Sequence, residues 1–240
     1  MRALYWKEIN SFFSNLSGYL ILGVFILTLG LLVWVFPDSS VLDYGFAELE
    51  TLFVSTPFVF IFLIPAITMK MLAEEKKTGT WEILMTSPLP VWKIVLVKYL
   101  ASLTLVFVAL LPTLTYYFSI VQLGEPQGNI DHAGFFGSWI GLYLMGAVFA
   151  AIGIFSSALT QHQIIAFIGG AFISFLLYFG LASLVQLQIM GPMALWLEEF
   201  SLSYHYDSLG RGVIYSKNLA YFLSTITLML GLTVVLLRQK

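Results

Sequence analysis

MKMLAEEKKTGTWEILMTSPLPVWKIVLV, residues 69–97, is a charged segment set between two long apolar runs. The run before it, residues 52–69, holds no Asp, Glu, Lys, Arg or His, and neither does the run after it, residues 99–118. An α-helix needs about 20 mostly apolar residues to cross a bilayer. Further uncharged runs lie at residues 18–36, 135–159, 164–186 and 219–237. The pattern predicts six spans, the third drawn back to residues 94–118. The expected fold class is all-α, a polytopic membrane protein with residues 1–240 as one transmembrane domain. No stretch between the runs reaches the about 50 residues of a soluble domain.

Composition agrees with this class and narrows the chemistry. Hydrophobic residues make up 59% of the chain and charged residues 10%, against about 25% charged in an ordinary soluble domain. The first apolar run is too long for a cleaved secretory segment and no A-x-A site closes it, so it is expected to stay as an anchor. There is no cysteine, hence neither a disulfide nor a thiolate metal site. His132, His162 and His205 are far apart and make no HExxH spacing. The Lys77-Thr78-Gly79 triplet has no S-x-x-K to accompany it, and no G-x-x-x-x-G-K-[ST] cradle occurs. The chain is therefore expected to be no enzyme and to hold no cofactor of its own. Because the apolar runs carry no Asp, Glu, Lys, Arg or His, the spans are expected to be charge-free, which argues against an ion-coupled transporter.

Orientation follows from the cations. With a cytoplasmic N-terminus, Arg2, Lys7, Lys70, Lys76, Lys77, Lys93, Lys98, Arg238 and Lys240 fall inside, and only Arg211 and Lys217 fall outside. By the positive-inside rule both termini face the cytoplasm. The first outer loop instead carries Asp38, Asp43, Glu48 and Glu50. The net charge of -2 gives no reason to expect nucleic acid as a partner.

Five local patterns stand out. Tyr5, Ile9, Phe12, Phe13 and Leu16 recur at helical spacing ahead of span one, which predicts an amphipathic helix lying on the inner membrane surface. Trp81, Leu84 and Met85 fall at i, i+3 and i+4, so a short helix in the charged loop would present one apolar face to the cytoplasm. After Pro192, the residues Met193, Trp196, Leu197 and Phe200 predict a helix resting on the outer leaflet, with Glu198 and Glu199 on another face. Span four carries small residues four apart, Gly137 with Gly141 and Gly146 with Ala150, which permit close backbone approach either within the chain or across a subunit interface. Pro57 and Pro65 allow span two to bend.

The run AEEKKTGTWEILMTSPLPVWKIVLVKYL, residues 73–100, resembles the E-x-x-x-G-T-x-E-x-L-x-x-[ST]-P signature of ABC-2 type exporter permeases. Glu75, Gly79, Thr80, Glu82, Leu84, Ser87 and Pro88 stand in the matching places. The N-terminal WKEINSFFSNLSGYLILGVFILTLGLLVWVF and the C-terminal YHYDSLGRGVIYSKNLAYFLSTITLMLGLTVVLLR resemble permeases associated with bacterial gliding motility, as does ELETLF ahead of FLIPAITM. One departure is the Leu16-Ser17 pair, where such permeases often have Ser-Pro. The resemblance implies a cytoplasmic coupling helix that enters a groove on a separate ABC ATPase subunit, with ATP and Mg bound by that partner. Trp81, Leu84 and Met85 are then the expected contacts, Glu75 and Glu82 the polar partners, and Gly79 the break that starts the helix. It also implies a second permease subunit, identical or related, and a place in the bacterial cytoplasmic (inner) membrane. A scaffold that anchors an ATPase without moving cargo would carry the same loop.

The cation split makes topology testable. Single cysteines at Ser39, Asn129 and Ser208 are expected to react with an impermeant thiol reagent added to intact cells, and a cysteine at Thr78 is not. Labelling of position 78 from outside would reverse the map.

Overall fold

A computed structural model describes residues 1–37, 39–44, 48–186, 198–210 and 215–238. Among these, all regular structure is helical. The residues 192, 193, 196 and 197 of the expected outer-leaflet helix lie outside the described residues.

Helix α1 (Arg2–Ser14) is separated from α2 (Leu16–Trp34) by Asn15, whose extended backbone (φ -102°, ψ 137°) breaks the helix. The amphipathic N-terminal segment is therefore a helix of its own and not the start of span one. Its Leu4 and Ile9 are buried and Tyr5, Phe12 and Phe13 pack on the core. After a short α3 (Val41–Tyr44), α4 (Glu50–Thr68) carries Pro57 and Pro65 within it. It runs through Met69 (φ -54°, ψ -32°) almost directly into α5 (Lys70–Lys77), so the second span continues into the charged loop as one apolar-then-polar rod. A six-residue α6 (Thr80–Met85) follows.

Span three differs from expectation at both ends. Helix α7 (Val91–Leu110) starts well before the uncharged run, right after Pro90, and thereby takes Lys93 and Lys98 into the helix. The spans are not charge-free: Lys98 is fully buried. At the other end Pro112, which has no amide hydrogen to continue the ladder, divides α7 from α8 (Thr113–Leu123). Helix α9 (His132–Leu159) is capped by the Asp131 carboxylate, which accepts from Gly134 N at 2.9 Å. Helix α10 (Gln163–Phe175) passes through a π-helical turn, Leu176–Gly180, into α11 (Leu181–Gln186). The short helix α12 (Leu202–Leu209) and the last span α13 (Ser216–Arg238) complete the bundle.

Six helical segments are long and apolar enough to cross a membrane. Of these α9 is the centre: 78% of its apolar window is buried, against 11% for α13, which leaves α13 an apolar face toward its surroundings. Small residues are what allow neighbours to close on α9. Gly141 lies against the Tyr206 ring and Leu209, a Cβ on Gly146 would come within 2.7 Å of Val106 Cγ1, and one on Gly153 would collide with the Thr68 hydroxyl. Gly137 and Ala150 are buried as well. The small-residue stripe considered for a subunit interface, Gly137, Gly141, Gly146 and Ala150, is therefore occupied by packing within the chain.

Near the start of α4, Tyr206 donates to Phe53 O at 2.9 Å and ties α12 to α4. His205, buried and stacked on Tyr221 at 4.0 Å, has Nε2 at 2.9 Å from Glu199 O and Nδ1 at 2.8 Å from Asn218 Oδ1.

The crossing of α9 over α4 gives a packing prediction. Gly153→Ala should lower stability by about 1–3 kcal/mol, the usual cost of overpacking. Gly231→Ala, where a Cβ meets nothing within 4 Å, should be neutral or slightly stabilising. Thermal unfolding of the detergent-solubilised variants checks both.

Candidate functional site

The segment α5–α6 lies at one end of the bundle and is held by α1, α7 and α9. Its upper end is fixed by Ser157 at the end of α9: the hydroxyl donates to Met69 O at 2.9 Å and accepts from Leu72 N at 3.1 Å and Ala73 N at 3.0 Å. Amides released where the helix passes Met69 are thus satisfied inside the protein. Lys76 Nζ also donates to Ala158 O. At the lower end Thr78 N closes on Glu74 O, and Gly79 adopts φ +74°. That left-handed conformation is costly for a side-chain-bearing residue. The chain therefore reverses at Gly79 and α6 begins at Thr80, as the spacing predicts.

The face of α6 differs from expectation. Trp81 and Leu84 turn inward onto Leu4 of α1 and Ile94 and Val97 of α7. What they leave outside is Ile83, 70% exposed, and Met85, 41% exposed, with Thr80, Glu82 and Pro88 beside them. Ile83 was not singled out by the i, i+3, i+4 pattern because that pattern marks an apolar face without saying which way it turns. A second apolar residue out of register with Trp81 was the available signal.

Glu75 is also placed otherwise. It points inward, buried, and takes part in a cluster that sequence reasoning missed. Glu75 Oε1 accepts from Lys7 Nζ at 2.7 Å. Its Oε2 lies 2.9 Å from Lys98 Nζ, an ion pair without hydrogen-bond alignment. Lys98 Nζ also donates to Glu8 Oε1 at 2.7 Å and to Met71 O at 2.7 Å. Three oxygens thus surround an ammonium that has three hydrogens. Lys7 and Lys98 balance Glu8 and Glu75, so the cluster is neutral. Burial by itself lowers the Lys7 pKa, but the hydrogen bond and charge of Glu75 and the charge of Glu8 outweigh it and raise the value above that of an ordinary lysine. The link to Lys7 is therefore intact below the ordinary lysine range and is lost only as pH climbs through the raised value. Sequence did hold a trace of Lys98: the apolar run VWKIVLVKYL is continuous from Val91, so a helix starting at Pro90 must draw both lysines in.

The opposite end of the bundle has a different character. A cavity of about 1180 Å³ opens there, lined among others by Glu48, Glu50, Asp131 and Asp207 over a floor of Phe53 and Tyr117. Among the described residues that line it there is no lysine or arginine.

A helical bundle with six membrane-length helices and a supported cytoplasmic-type loop defines a polytopic membrane protein. The sequence matches the family described as ABC-2 family transporter protein over residues 37–238, and the chain belongs to that family. The match includes Glu75 and Lys98 but starts after α1, which supplies Glu8 and Lys7. A comparison with curated proteins finds no match.

The charge cluster yields a prediction. Lys98→Met leaves two inward carboxylates with one cation and should destabilise the protein by about 3–5 kcal/mol, the cost of breaking a buried pair. Adding Glu75→Gln removes the uncompensated charge and should recover part of the loss. Lys93→Met, a half-buried neighbour, should change stability by less than about 0.5 kcal/mol. Thermal or denaturant unfolding in detergent reads all three.

Proposed function

We propose that the chain is the membrane-spanning permease subunit of an ATP-driven exporter and that the α5–α6 segment is the docking point of a cytoplasmic ABC ATPase. The observation that carries this reading is the contrast within α6. Its inner side, Trp81 and Leu84, is held by α1 and α7, while Ile83 and Met85 stand exposed at the tip of a loop fixed to α1, α7 and α9. An exposed apolar tip on a rigid support is suited to enter a groove on a partner. Glu82 and Thr80 are the polar contacts at its edge, Pro88 ends the tip, and Gly79 sets its angle. Trp81 serves as the positioning residue.

ATP and Mg belong to the partner in this reading, and the chain supplies mechanical transmission. A second permease subunit, identical or related, completes the membrane unit in the bacterial cytoplasmic membrane with both termini inside. The resemblance of the two ends of the chain to gliding-motility permeases makes cell-surface machinery the expected setting.

Interface energy concentrates in a few buried anchors, each worth about 2 kcal/mol or more, roughly thirtyfold in affinity. Ile83→Asp should therefore leave the protein folded but reduce co-purification of its ATPase in mild detergent by at least that factor, and abolish ATP-driven cargo movement in sealed vesicles. Trp81→Ala should weaken the same association and also lower stability, because it removes packing. Full association and transport in the Ile83→Asp protein would show that this loop is not the docking point.

A further inference from the structure

A second cavity, about 280 Å³, lies between α1, the start of α2, the end of α4 and α5. Its floor is apolar, formed by Ile21, Ala66 and Leu105, and its rim is polar. Among the charged residues on that rim, Lys7, Glu8 and Glu75 are already matched within the buried cluster. Two are not. Lys70 Nζ has only the Ser17 hydroxyl, at 3.1 Å, and the Glu74 carboxylate takes part in no ion pair among the described residues. They stand four apart on α5, close enough to share one face about 6 Å apart, yet are not paired with each other.

We propose that this cavity binds the head of a zwitterionic phospholipid of the phosphoethanolamine type from the cytoplasmic leaflet. The phosphate lies on Lys70 and the Ser17 hydroxyl, and the primary ammonium lies on Glu74. The acyl chains leave over the half-buried Ile21 and Ala66 toward the bilayer. The charge pattern selects this head from the alternatives. An anionic glycerol head would bring no cation to Glu74. A phosphocholine head has the right charges, but its quaternary nitrogen has no hydrogen to donate to Glu74, and charge-assisted hydrogen bonds are the strong ones. The setting is that expected of a lipid contact: α1 carries a polar and an apolar face and turns into span one at Asn15, next to the cavity. A lipid seated there touches the helix that holds Lys98 through Glu8 and the helix that leads into the loop.

Native mass spectrometry of the purified full chain, titrated in turn with dioleoyl phosphatidylethanolamine, phosphatidylcholine and phosphatidylglycerol, tests the assignment without any ATPase. The wild-type chain should retain one phosphatidylethanolamine with affinity about tenfold above either other lipid, the scale of one charge-assisted contact. Lys70→Gln should lose that preference. Glu74→Gln should do more than lose it: with the carboxylate gone, binding of phosphatidylglycerol should rise relative to phosphatidylethanolamine, a gain that misfolding does not produce. Equal retention of the three lipids by the wild-type chain, a wild-type preference for phosphatidylglycerol, or unchanged selectivity in both variants would each overturn the proposal and would leave the exporter reading untouched.

Discussion

The structure depends on keeping the Lys98 ammonium satisfied away from water. An isolated buried cation costs several kcal/mol even after relaxation, so α7 can hold Lys98 only if other segments bring oxygens to it. Glu8 comes from α1, Glu75 and the Met71 carbonyl from α5. One side chain thereby sets the position of two segments that have no sequence continuity with it. This accounts for the placement of α1, which lies before the region shared with the ABC-2 family and yet carries one of the two essential carboxylates.

The second constraint is the surface of α9. Glycine and alanine along this helix let α4, α7 and α12 approach until side chains of one touch the backbone of the other. With the central helix surrounded in this way, Ser157 at its end reaches the backbone of α5 and closes the junction between span two and the loop. The loop is consequently not a tether. Displacing α6 must either break the ion pairs around Lys98 and the Ser157 bridge or carry α1, α7 and α9 along with it. Such coupling through packed and hydrogen-bonded elements is what transmission of a push requires.

The two ends of the bundle are electrostatically unlike. Among the described residues, the larger cavity is lined by carboxylates and by no lysine or arginine, whereas the smaller one is nearly balanced, with Lys70 and Glu74 beside a neutral cluster. This asymmetry follows the distribution of lysine along the chain, since the cations that serve the inner cluster are the same ones that set the expected orientation.

Much of the architecture was readable from sequence because it rests on local properties. Apolar length marks a helix that can cross a membrane, Gly79 marks the reversal because its backbone conformation suits glycine, and small residues at four-residue spacing mark close approach. Lys98 was misread because the spans were expected to be charge-free, whereas α7 begins at Val91 and keeps the charge by pairing it. The direction of Trp81 and Glu75 was misread because periodicity defines a face and not what that face meets. The destination of the stripe through Gly141 and Gly146 was likewise open until α12, α4 and α7 were seen against it. The sequence by itself determined the class, the number of spans and the place of the loop, since each depends on residues close together in the chain. Only the tertiary structure decided which charges are buried and which side of α6 is free, because desolvation and pairing depend on partners up to 90 residues away, as Glu8 is from Lys98.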